Sequence, residues 1–448
     1  MIRFDRTRLR AGFGRMPVVD LLERGLLAVD PRHCVREALS YDAGRLRVGS
    51  AAHDIAGRRV WAIAVGKAAV PMAETASQQL GSALTGGVAV TRYDHGGPVR
   101  GVAVLEAGHP IPDENGMRAA RAINELANDV EPDDLVVCLL SGGGSALLSA
   151  PPEGVCLDDL AATTRLLLGS GAPIEEINAV RRHLSSLQGG RLARRLGSAT
   201  VITLALSDVV GDRPETIASG PTVPDPTTFD DAIAVLQRRR LWRQLPPSVQ
   251  VHLRDGAAGE IAETPKPGDP AFRRTAFEIV GNNDTFLAAL ERAAQGDACH
   301  VVRSPDPVIG EARDVGRELA RRAAVLANKR ARRTLLAAGG ETTVTVRGRG
   351  RGGRNQELAL AAALEIDGID GVCIGALATD GSDGSTDAAG AVVDGTTAAR
   401  ARQAGIDPAA ALADNDSHAV LDASNDLLVT GPTRTNVADV YIAFIDAG

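Results

Sequence analysis

The alternation of two kinds of segment is the feature that most constrains how this chain folds. Short β-rich apolar runs alternate with alanine- and leucine-rich amphipathic segments along most of the sequence. This alternation is typical of βαβ units, in which helices join parallel strands and cover the sheet. We therefore predict an α/β fold. The predicted strands of a first series are Val60–Val65, Val88–Thr91, Val102–Glu106, Leu135–Leu140 and Val201–Leu206.

A second series of strands follows a polar stretch that carries several prolines, at residues 246–270. The chain has 448 residues, more than one hydrophobic core usually organises. We therefore predict two domains, residues 1–245 and 246–448. The predicted strands of the second series are Phe277–Val280, Thr334–Ala338, Thr342–Val346, Val372–Leu377 and Leu427–Thr430. A helix is predicted at Ile177–Leu187 from its apolar spacing.

Charge and composition exclude several classes of protein. The formal net charge of −7 gives no overall attraction for nucleic acid or for an anionic membrane. No apolar run reaches the length of a membrane span, so a cytoplasmic location is the default expectation. The five cysteines are widely spaced and form no C-x-x-C pair, which favours reduced thiols over disulfides or a zinc site.

Two predicted strands run into segments suited to binding an anion. Leu135–Leu140 leads into Ser141, Gly142, Gly143, Gly144 and Ser145, where backbone N–H groups can converge on a phosphate or carboxylate. A tight turn is the plainer alternative, and no G-x-x-x-x-G-K-[ST] motif occurs in the chain. Lys67 follows Val60–Val65 and is one of only three lysines among 49 basic residues. A ligand-binding lysine and a surface lysine are both open at this position.

Acidic residues follow two other predicted strands. Asp208 lies just past Val201–Leu206, where a carboxylate can bind Mg²⁺ or accept a proton from a hydroxyl group, or can simply cap a loop. Asp380, Asp383 and Asp387 lie in a glycine-rich loop after Val372–Leu377. Their spacing differs from that of an EF-hand, and it favours Mg²⁺ with retained waters over Ca²⁺.

The segment RGRGRGGR at Arg347–Arg354 allows a third kind of chemistry. Gly348, Gly350 and Gly353 formally match the dinucleotide motif G-x-G-x-x-G, but the match arises from low complexity. An arginine-rich loop that closes over phosphates or a carboxylate fits better, with Arg354 as its most fixed arginine. A nicotinamide-dependent reductase and a non-catalytic anion- or RNA-binding protein remain alternatives. The low aromatic content, 3%, argues against RNA binding.

Ten motifs between Val60 and Asp439 occur in the order found in one known family. The motifs are AVGKAA, EAGHPIPDENG, LLSGGGSALL, INAVRRHLS, LSDVVGD, IASGPT, GGETTV, GGRNQELAL, ATDGSDGSTDAAGA and TGPTRTNVAD. With these motifs the sequence resembles the class II glycerate kinases, the glycerate 2-kinase group with a MOFRL C-terminal domain. One departure is that Arg182 and Gln188 stand where the family more often has lysines.

The resemblance implies a fold, a reaction and a set of site residues. The fold would be an N-terminal Rossmann-like α/β/α sandwich and a smaller C-terminal α/β domain with a mixed sheet, with the site in the interdomain cleft. The reaction would be ATP-dependent phosphorylation of D-glycerate at its 2-hydroxyl, with Mg²⁺. Some family members carry the name hydroxypyruvate reductase, which keeps that alternative open. The oligomeric state is open, with a homodimer as one alternative. Among the site residues, the resemblance implies roles for Lys67 and Arg354. Together with the residues singled out by their positions, the expected catalytic residues are Lys67, Asp208 and Arg354, the expected binding residues Ser141–Ser145, Glu341 and Asn355, and the expected metal ligands Asp208 and Asp380.

Overall fold

A computed structural model describes residues 3–9, 12, 14–49, 51–329 and 332–446. The chain forms two compact units, Pro31–Val280 and a second made of Met1–Asp30 with Gly281–Gly448. We call them the parallel-sheet unit and the mixed-sheet unit. The predicted domains, 1–245 and 246–448, stay a prediction; the compact units place residues 1–30 and 246–280 differently.

The strands of the described residues have the following bounds in chain order. They are β1 (Leu39–Asp42), β2 (Arg45–Val48), β3 (Ala51–Asp54), β4 (Val60–Val65), β5 (Leu84–Arg92), β6 (Val102–Ala107), β7 (Leu135–Leu140), β8 (Thr200–Leu206), β9 (Thr275–Gly281), β10 (His300–Arg303), β11 (Val308–Glu311), β12 (Thr334–Thr343), β13 (Val372–Ala378), β14 (Gly390–Asp394), β15 (Leu427–Leu428) and β16 (Asp439–Ile445).

The helices of the described residues alternate with these strands over much of the chain. They are α1 (Arg15–Ala28), α2 (Pro31–Ala38), α3 (Ala69–Leu80), α4 (Glu114–Asp129), α5 (Gly144–Leu147), α6 (Leu157–Gly169), α7 (Ile174–His183), α8 (Arg191–Arg195), α9 (Phe229–Arg238), α10 (Pro247–Ala257), α11 (Asn283–Gly296), α12 (Ala312–Asn328), α13 (Arg354–Glu365), α14 (Thr397–Gln403), α15 (Pro408–Ala413) and α16 (Ser417–Ala423).

The parallel-sheet unit is built on six strands in the order β6-β5-β4-β7-β8-β9. Strands β4 to β8 pair in parallel. Every residue of β7 is buried because both faces of the sheet are covered. Its odd residues, such as Val137, pack with α3, and its even residues, such as Cys138, pack with α4 and α8. This two-sided core explains why β4 and β7 were predicted with their full bounds.

The strand order reverses direction between β4 and β7. From β4 the chain adds β5 and then β6 on one side, and it later adds β7 and then β8 on the other. In open parallel sheets, the loops that leave the two strands at such a reversal diverge and open a crevice at the carboxyl ends of the strands. The segments that follow β4 and β7 therefore border the position where this kind of fold binds ligands.

The mixed-sheet unit has seven strands, in the order β10-β12-β16-β13-β14-β15, with β11 also paired to β12. Strand β12 is parallel to β10 and β11 and antiparallel to β16. Helices α1 and α11 pack in one core cluster with the sheet, and α12 and α13 pack in another. The predicted fold class, a parallel α/β sandwich and a second α/β region with a mixed sheet, is confirmed.

Some predicted elements differ in the structure. The two strands predicted at Thr334–Ala338 and Thr342–Val346 form one strand, β12, which ends at Thr343, because Gly339 and Gly340 keep their pairing with β16. The strand predicted at Phe277–Val280 belongs to the first sheet, beside β8, and not to the second series. The helix predicted at Ile177–Leu187 ends at His183. The small antiparallel sheet β1-β2-β3 was not predicted.

Candidate active site

Lys67 and the glycine-rich segment meet at the reversal of strand order. The Lys67 N–H donates a hydrogen bond to the Gly142 carbonyl at 2.9 Å, and the Ser141 N–H donates to the Val65 carbonyl at 2.9 Å. The Ala68 N–H donates to the Ser141 hydroxyl at 3.0 Å. These hydrogen bonds join the loops after β4 and β7, so the backbone of Lys67 is held beside the glycines.

Two glycines in these loops allow a very close approach. Gly66 has a φ of +127°, and a Cβ atom there would lie 2.2 Å from the Ser141 hydroxyl oxygen. A Cβ atom on Gly142 would lie 1.9 Å from an oxygen of the Asp208 carboxylate. Any side chain at either position would collide with its neighbour. The structure therefore brings together Lys67, Ser141, Gly142 and Asp208, all four of which belong to the predicted site.

Basic side chains lie around Gly143, the second glycine of the segment. A Cβ atom on Gly143 would lie 3.2 Å from His109 Nε2 and 3.3 Å from Lys67 Cγ. Burial, together with the nearby cations of Lys67, Arg92 and Arg181, lowers the pKa of His109 to about 4. His109 is therefore neutral at pH 7, and the positive potential around the segment comes from one lysine and two arginines. This potential suits an anionic ligand.

Ser145 and its neighbours complete this part of the site. The Ser219 hydroxyl donates to the Ser145 hydroxyl at 2.8 Å and lies 3.1 Å from the Asn178 side-chain oxygen. The Gln188 side-chain amide donates to the Ser145 carbonyl at 2.7 Å. Sequence reasoning did not place Asn178, Gln188, Ser219, His109 or Arg181 in the site. The sequence could have indicated these residues, because each lies within or just after one of the motifs that the chain shares with the family.

Arg354 lies in the mixed-sheet unit, in a cluster of charged side chains. Its guanidinium donates two hydrogen bonds to the Asp439 carboxylate, one of them at 3.0 Å, and one to Glu341 at 2.7 Å. The Asp439 side chain is 1% exposed, whereas that of Arg354 is 34% exposed. Two carboxylates of the protein therefore hold Arg354 in place and already balance its charge, and its predicted catalytic role stays a proposal.

Asn355 and Asp383 form a buried pair next to Arg354. The backbone N–H and the side-chain amide of Asn355 both donate to Asp383, at 3.1 and 3.2 Å. Gln356 also donates to Asp383, from its backbone N–H at 2.8 Å. Burial raises the pKa of the Asp383 carboxyl group. Asn355 is fully buried in this arrangement, so its predicted binding role stays a proposal.

The two predicted metal ligands lie in different compact units, Asp208 in the parallel-sheet unit and Asp380 in the mixed-sheet unit. Asp380 accepts a hydrogen bond from the Ser382 N–H at 3.1 Å, as a turn residue does. Within the described ranges, no group of three or more histidine, cysteine or acidic residues could hold a metal ion. A Mg²⁺ ion carried by a nucleotide needs only one or two protein carboxylates, so this finding is compatible with Mg²⁺.

The arginine- and glycine-rich segment does not form a dinucleotide cradle. Its backbone N–H groups, which would have to face a pyrophosphate, donate to side chains of the protein: Arg347 and Gly348 to Asn415, and Arg351 to Asp416. Gly350 allows close contact with Asp416, and its Cβ atom would lie 2.3 Å from that residue's Cβ. The glycines thus serve packing, which argues against the reductase alternative.

Comparisons with known proteins show which family this chain belongs to. Residues 18–254 match a domain of unknown function, DUF4147, and residues 334–439 match the MOFRL family. The glycerate 2-kinase of Pyrococcus horikoshii is 41% identical over 95% of this chain and 96% of its own length. The chain belongs to the MOFRL family of glycerate 2-kinases. The predicted resemblance is confirmed.

Two further relatives refine the comparison within the MOFRL glycerate 2-kinase family. A crystal structure of glycerate kinase from Thermotoga maritima is 39% identical, with a TM-score of 0.84 over 96% of this chain and 98% of that one. A protein of Agrobacterium vitis with the name putative hydroxypyruvate reductase is 42% identical over 86% of each chain. None of the described helices is long and apolar enough to cross a membrane.

Proposed function

We propose that this chain transfers the γ-phosphoryl group of ATP to the 2-hydroxyl of D-glycerate, giving 2-phosphoglycerate and ADP. The observation that carries the proposal is the meeting of Lys67, the glycine-rich segment and Asp208 at the reversal of strand order. Family membership supports the choice of substrate, since glycerate 2-kinases match almost the whole chain.

The proposed roles follow from the demands of phosphoryl transfer, in which positioning and charge neutralisation supply most of the catalysis. Backbone N–H groups of Ser141–Ser145 bind oxygens of phosphate or of the glycerate carboxylate. Lys67 neutralises charge on the transferring group. Asp208 accepts the proton of the 2-hydroxyl or orients that hydroxyl, and the closeness of its carboxylate to Gly142 supports this role.

The residues of the mixed-sheet unit have complementary proposed roles. Arg354, held by Asp439 and Glu341, presents a fixed positive group to phosphate or carboxylate oxygens. Asn355 and Glu341 support the position of that group. Asp208 and Asp380 are the proposed metal-binding residues. A bound Mg²⁺ would neutralise charge on the nucleotide phosphates.

The test of the proposal is a direct assay of the product. Incubation with D-glycerate, ATP and MgCl₂, followed by ³¹P NMR, should show a single phosphoglycerate resonance at the position of the 2-isomer. L-Glycerate and glycerol serve as matched controls for stereochemistry and for the carboxylate. Formation of 3-phosphoglycerate would overturn the assigned hydroxyl group.

The reductase alternative makes a different prediction in the same preparation. A hydroxypyruvate reductase would oxidise NADH or NADPH with hydroxypyruvate and would leave ATP unchanged. We expect no such oxidation, because the arginine- and glycine-rich segment Arg347–Arg354, which motivated this alternative, donates its backbone N–H groups to Asn415 and Asp416. Oxidation of NADH without phosphorylation of glycerate would favour the reductase over the kinase. A cytoplasmic location and a homodimer are further proposals, testable by fractionation and by light scattering.

A further inference from the structure

Two consecutive arginines at the end of α7 differ in their surroundings. Arg182 is buried, and its guanidinium contacts the Glu215 carbonyl at 2.9 Å, the Thr227 hydroxyl at 3.2 Å and the Asp225 carboxylate at 2.8 Å. These three partners balance its charge and explain why an arginine fits at this position. Arg182 is thus a structural residue that joins α7 to the segment before α9.

Arg181 has no comparable partners. Its side chain is partly buried, yet among the residues that the structure describes it forms no hydrogen bond and no ion pair. Burial lowers the pKa of its guanidinium, and no acidic side chain opposes this effect. A guanidinium held in a partly dry position without an anion is unfavourable. An anion that binds there would remove this cost.

Arg181 lines a small recess next to the glycine-rich segment. The recess has a volume of about 20 Å³, enough for one water-sized group such as a carboxylate oxygen. Its other lining residues include Ser145, Ser149, Thr164 and Gln188. The bonds of Gln188 to the Ser145 and Leu148 carbonyls hold this wall in place.

The hydroxyl groups of the recess determine which donors are left for a ligand. Ser149 donates to the Ala146 carbonyl at 2.9 Å, and Thr164 donates to the Leu160 carbonyl at 2.9 Å. The Ser145 hydroxyl accepts from Ser219 and donates to no residue in the described part of the chain. The Ser185 hydroxyl, also in the recess, accepts from the Leu187 and Gln188 N–H groups and likewise donates to no described residue. Arg181 therefore has serine hydroxyls beside it as further donors, and Arg181 with Ser145, which ends the glycine-rich segment, matches the two oxygens of a carboxylate.

We propose that Arg181, with the Ser145 hydroxyl, binds the carboxylate of the hydroxy acid substrate and thereby selects acids over neutral alcohols. This inference rests on the proposed function for the identity of the acid. A nucleotide phosphate is the competing anion, since either group could place one oxygen in a recess of this size, and the KM values for glycerate and ATP in the Arg181 variants distinguish the two. A planar carboxylate can place one oxygen in the recess and direct the other toward the Ser145 hydroxyl.

The first experiment compares Arg181→Gln, Arg181→Lys and a charge-matched control, Arg165→Gln, whose arginine is exposed on α6. Arg181→Gln should raise the KM for D-glycerate roughly 10- to 100-fold, the effect of losing a hydrogen bond between charged groups. The KM for ATP should stay within about twofold of wild type. Arg181→Lys should recover part of the loss, because a lysine supplies the charge without the bidentate geometry. Arg165→Gln should behave as wild type.

The second experiment asks whether the carboxylate is the group that Arg181 recognises. Wild type should use D-glycerate far better than its neutral amide, D-glyceramide, and Arg181→Gln should lose most of this preference. A raised KM for ATP with an unchanged KM for glycerate would overturn the proposal and assign Arg181 to phosphate. An unchanged preference for the acid would overturn it as well.

Calorimetry separates this inference from the proposed function. D-Glycerate should bind wild type and the Arg165→Gln variant, and should bind Arg181→Gln at least tenfold more weakly. A wild type that binds glycerate without phosphorylating it would defeat the proposed function while leaving the role of Arg181 intact. Equal glycerate binding by wild type and by both Arg181 variants, each shown by circular dichroism to be folded, would defeat the inference itself.

Discussion

The basic residues near the glycine-rich segment and Arg354 of the mixed-sheet unit represent two ways in which a protein can hold positive charge. Arg354 is held by Asp439 and Glu341, so the protein itself balances its charge. Arg181 contacts no acidic side chain among the described residues and lies beside Lys67 and Arg92 around His109. The first arrangement favours a fixed geometry, whereas the second favours affinity for an anion.

This difference separates stability from activity. Removal of Arg354 leaves the buried Asp439 carboxylate with the Tyr441 hydroxyl but without its cation, so the folded state is destabilised. Removal of a cation from the glycine-rich side relieves repulsion between like charges, so the fold keeps or gains stability while ligand binding suffers. Removal of the positive charge should therefore lower the free energy of unfolding at a position that supports the fold, and should leave it unchanged or raise it at a position that binds an anion.

The largest effect on activity is expected for Lys67→Ala. The substitution should lower kcat/KM roughly 30- to 1,000-fold, which corresponds to a loss of about 2–4 kcal/mol of transition-state stabilisation, and should leave the fold intact. Steady-state kinetics with both substrates would measure the loss. Lys329→Ala, which removes an exposed lysine, is the control. Wild-type kinetics in Lys67→Ala would remove this residue from the site.

Arg354→Gln should destabilise the protein where Arg181→Gln does not. Loss of the pair with buried Asp439 should cost about 3 kcal/mol, somewhat less than a fully buried pair because Arg354 is partly exposed. Urea unfolding of both variants measures the difference. Pairing Arg354→Gln with Asp439→Asn should recover part of the stability. Equal stability of Arg354→Gln and Arg181→Gln would break the comparison drawn above.

Asp208→Asn and Asp380→Asn should have a moderate effect if these residues hold Mg²⁺. The Mg²⁺ concentration at half-maximal activity should rise about tenfold, about 1.4 kcal/mol for one lost charge-assisted contact, and excess metal should restore activity in part. An Asp208 that activates the hydroxyl would instead lose kcat with no rescue by metal. A turn residue would leave the titration unchanged, since asparagine makes the same local hydrogen bonds.

The smallest effect concerns His109 and pH. Its pKa of about 4 in the folded protein lies below the usual 6.5, so the unfolded chain binds more protons between these two values. The stability contributed by this residue is therefore complete above pH 6.5 and is lost as the pH falls toward 4. Unfolding free energies at pH 7 and pH 5 should differ less in His109→Asn than in wild type. An equal pH dependence in both proteins would contradict the low pKa.

The parts of the structure that the sequence predicts best are those governed by local physics. Strands β4 and β7 are continuous apolar runs between polar segments, so their bounds are readable directly. The position of Lys67 after one strand and of Ser141 after another is equally local. Their contact is not local, because it depends on the order of strands in the sheet.

Long-range pairings account for most of what the sequence did not predict. Arg354 and Asp439 are 85 positions apart, and nothing in either segment indicates that they meet. The same holds for Gly142 and Asp208, whose closeness appears only when β7 and β8 pair. Arg181 and Arg182 are the same type of residue at consecutive positions in the sequence. Only their surroundings separate the ligand-binding proposal from the structural role.

The position of α1 has a consequence for folding during synthesis. Its apolar residues, among them Val18, Leu22 and Leu26, pack in one core with Phe286 and the sheet of the mixed-sheet unit. Roughly 250 residues, Pro31–Val280, separate α1 from that partner in the chain. At about 5–20 residues per second, α1 waits on the order of 10–50 s for its core to emerge from the ribosome. A coexpressed fragment that carries residues 281–448 should therefore shorten the time for which the apolar face of α1 is exposed.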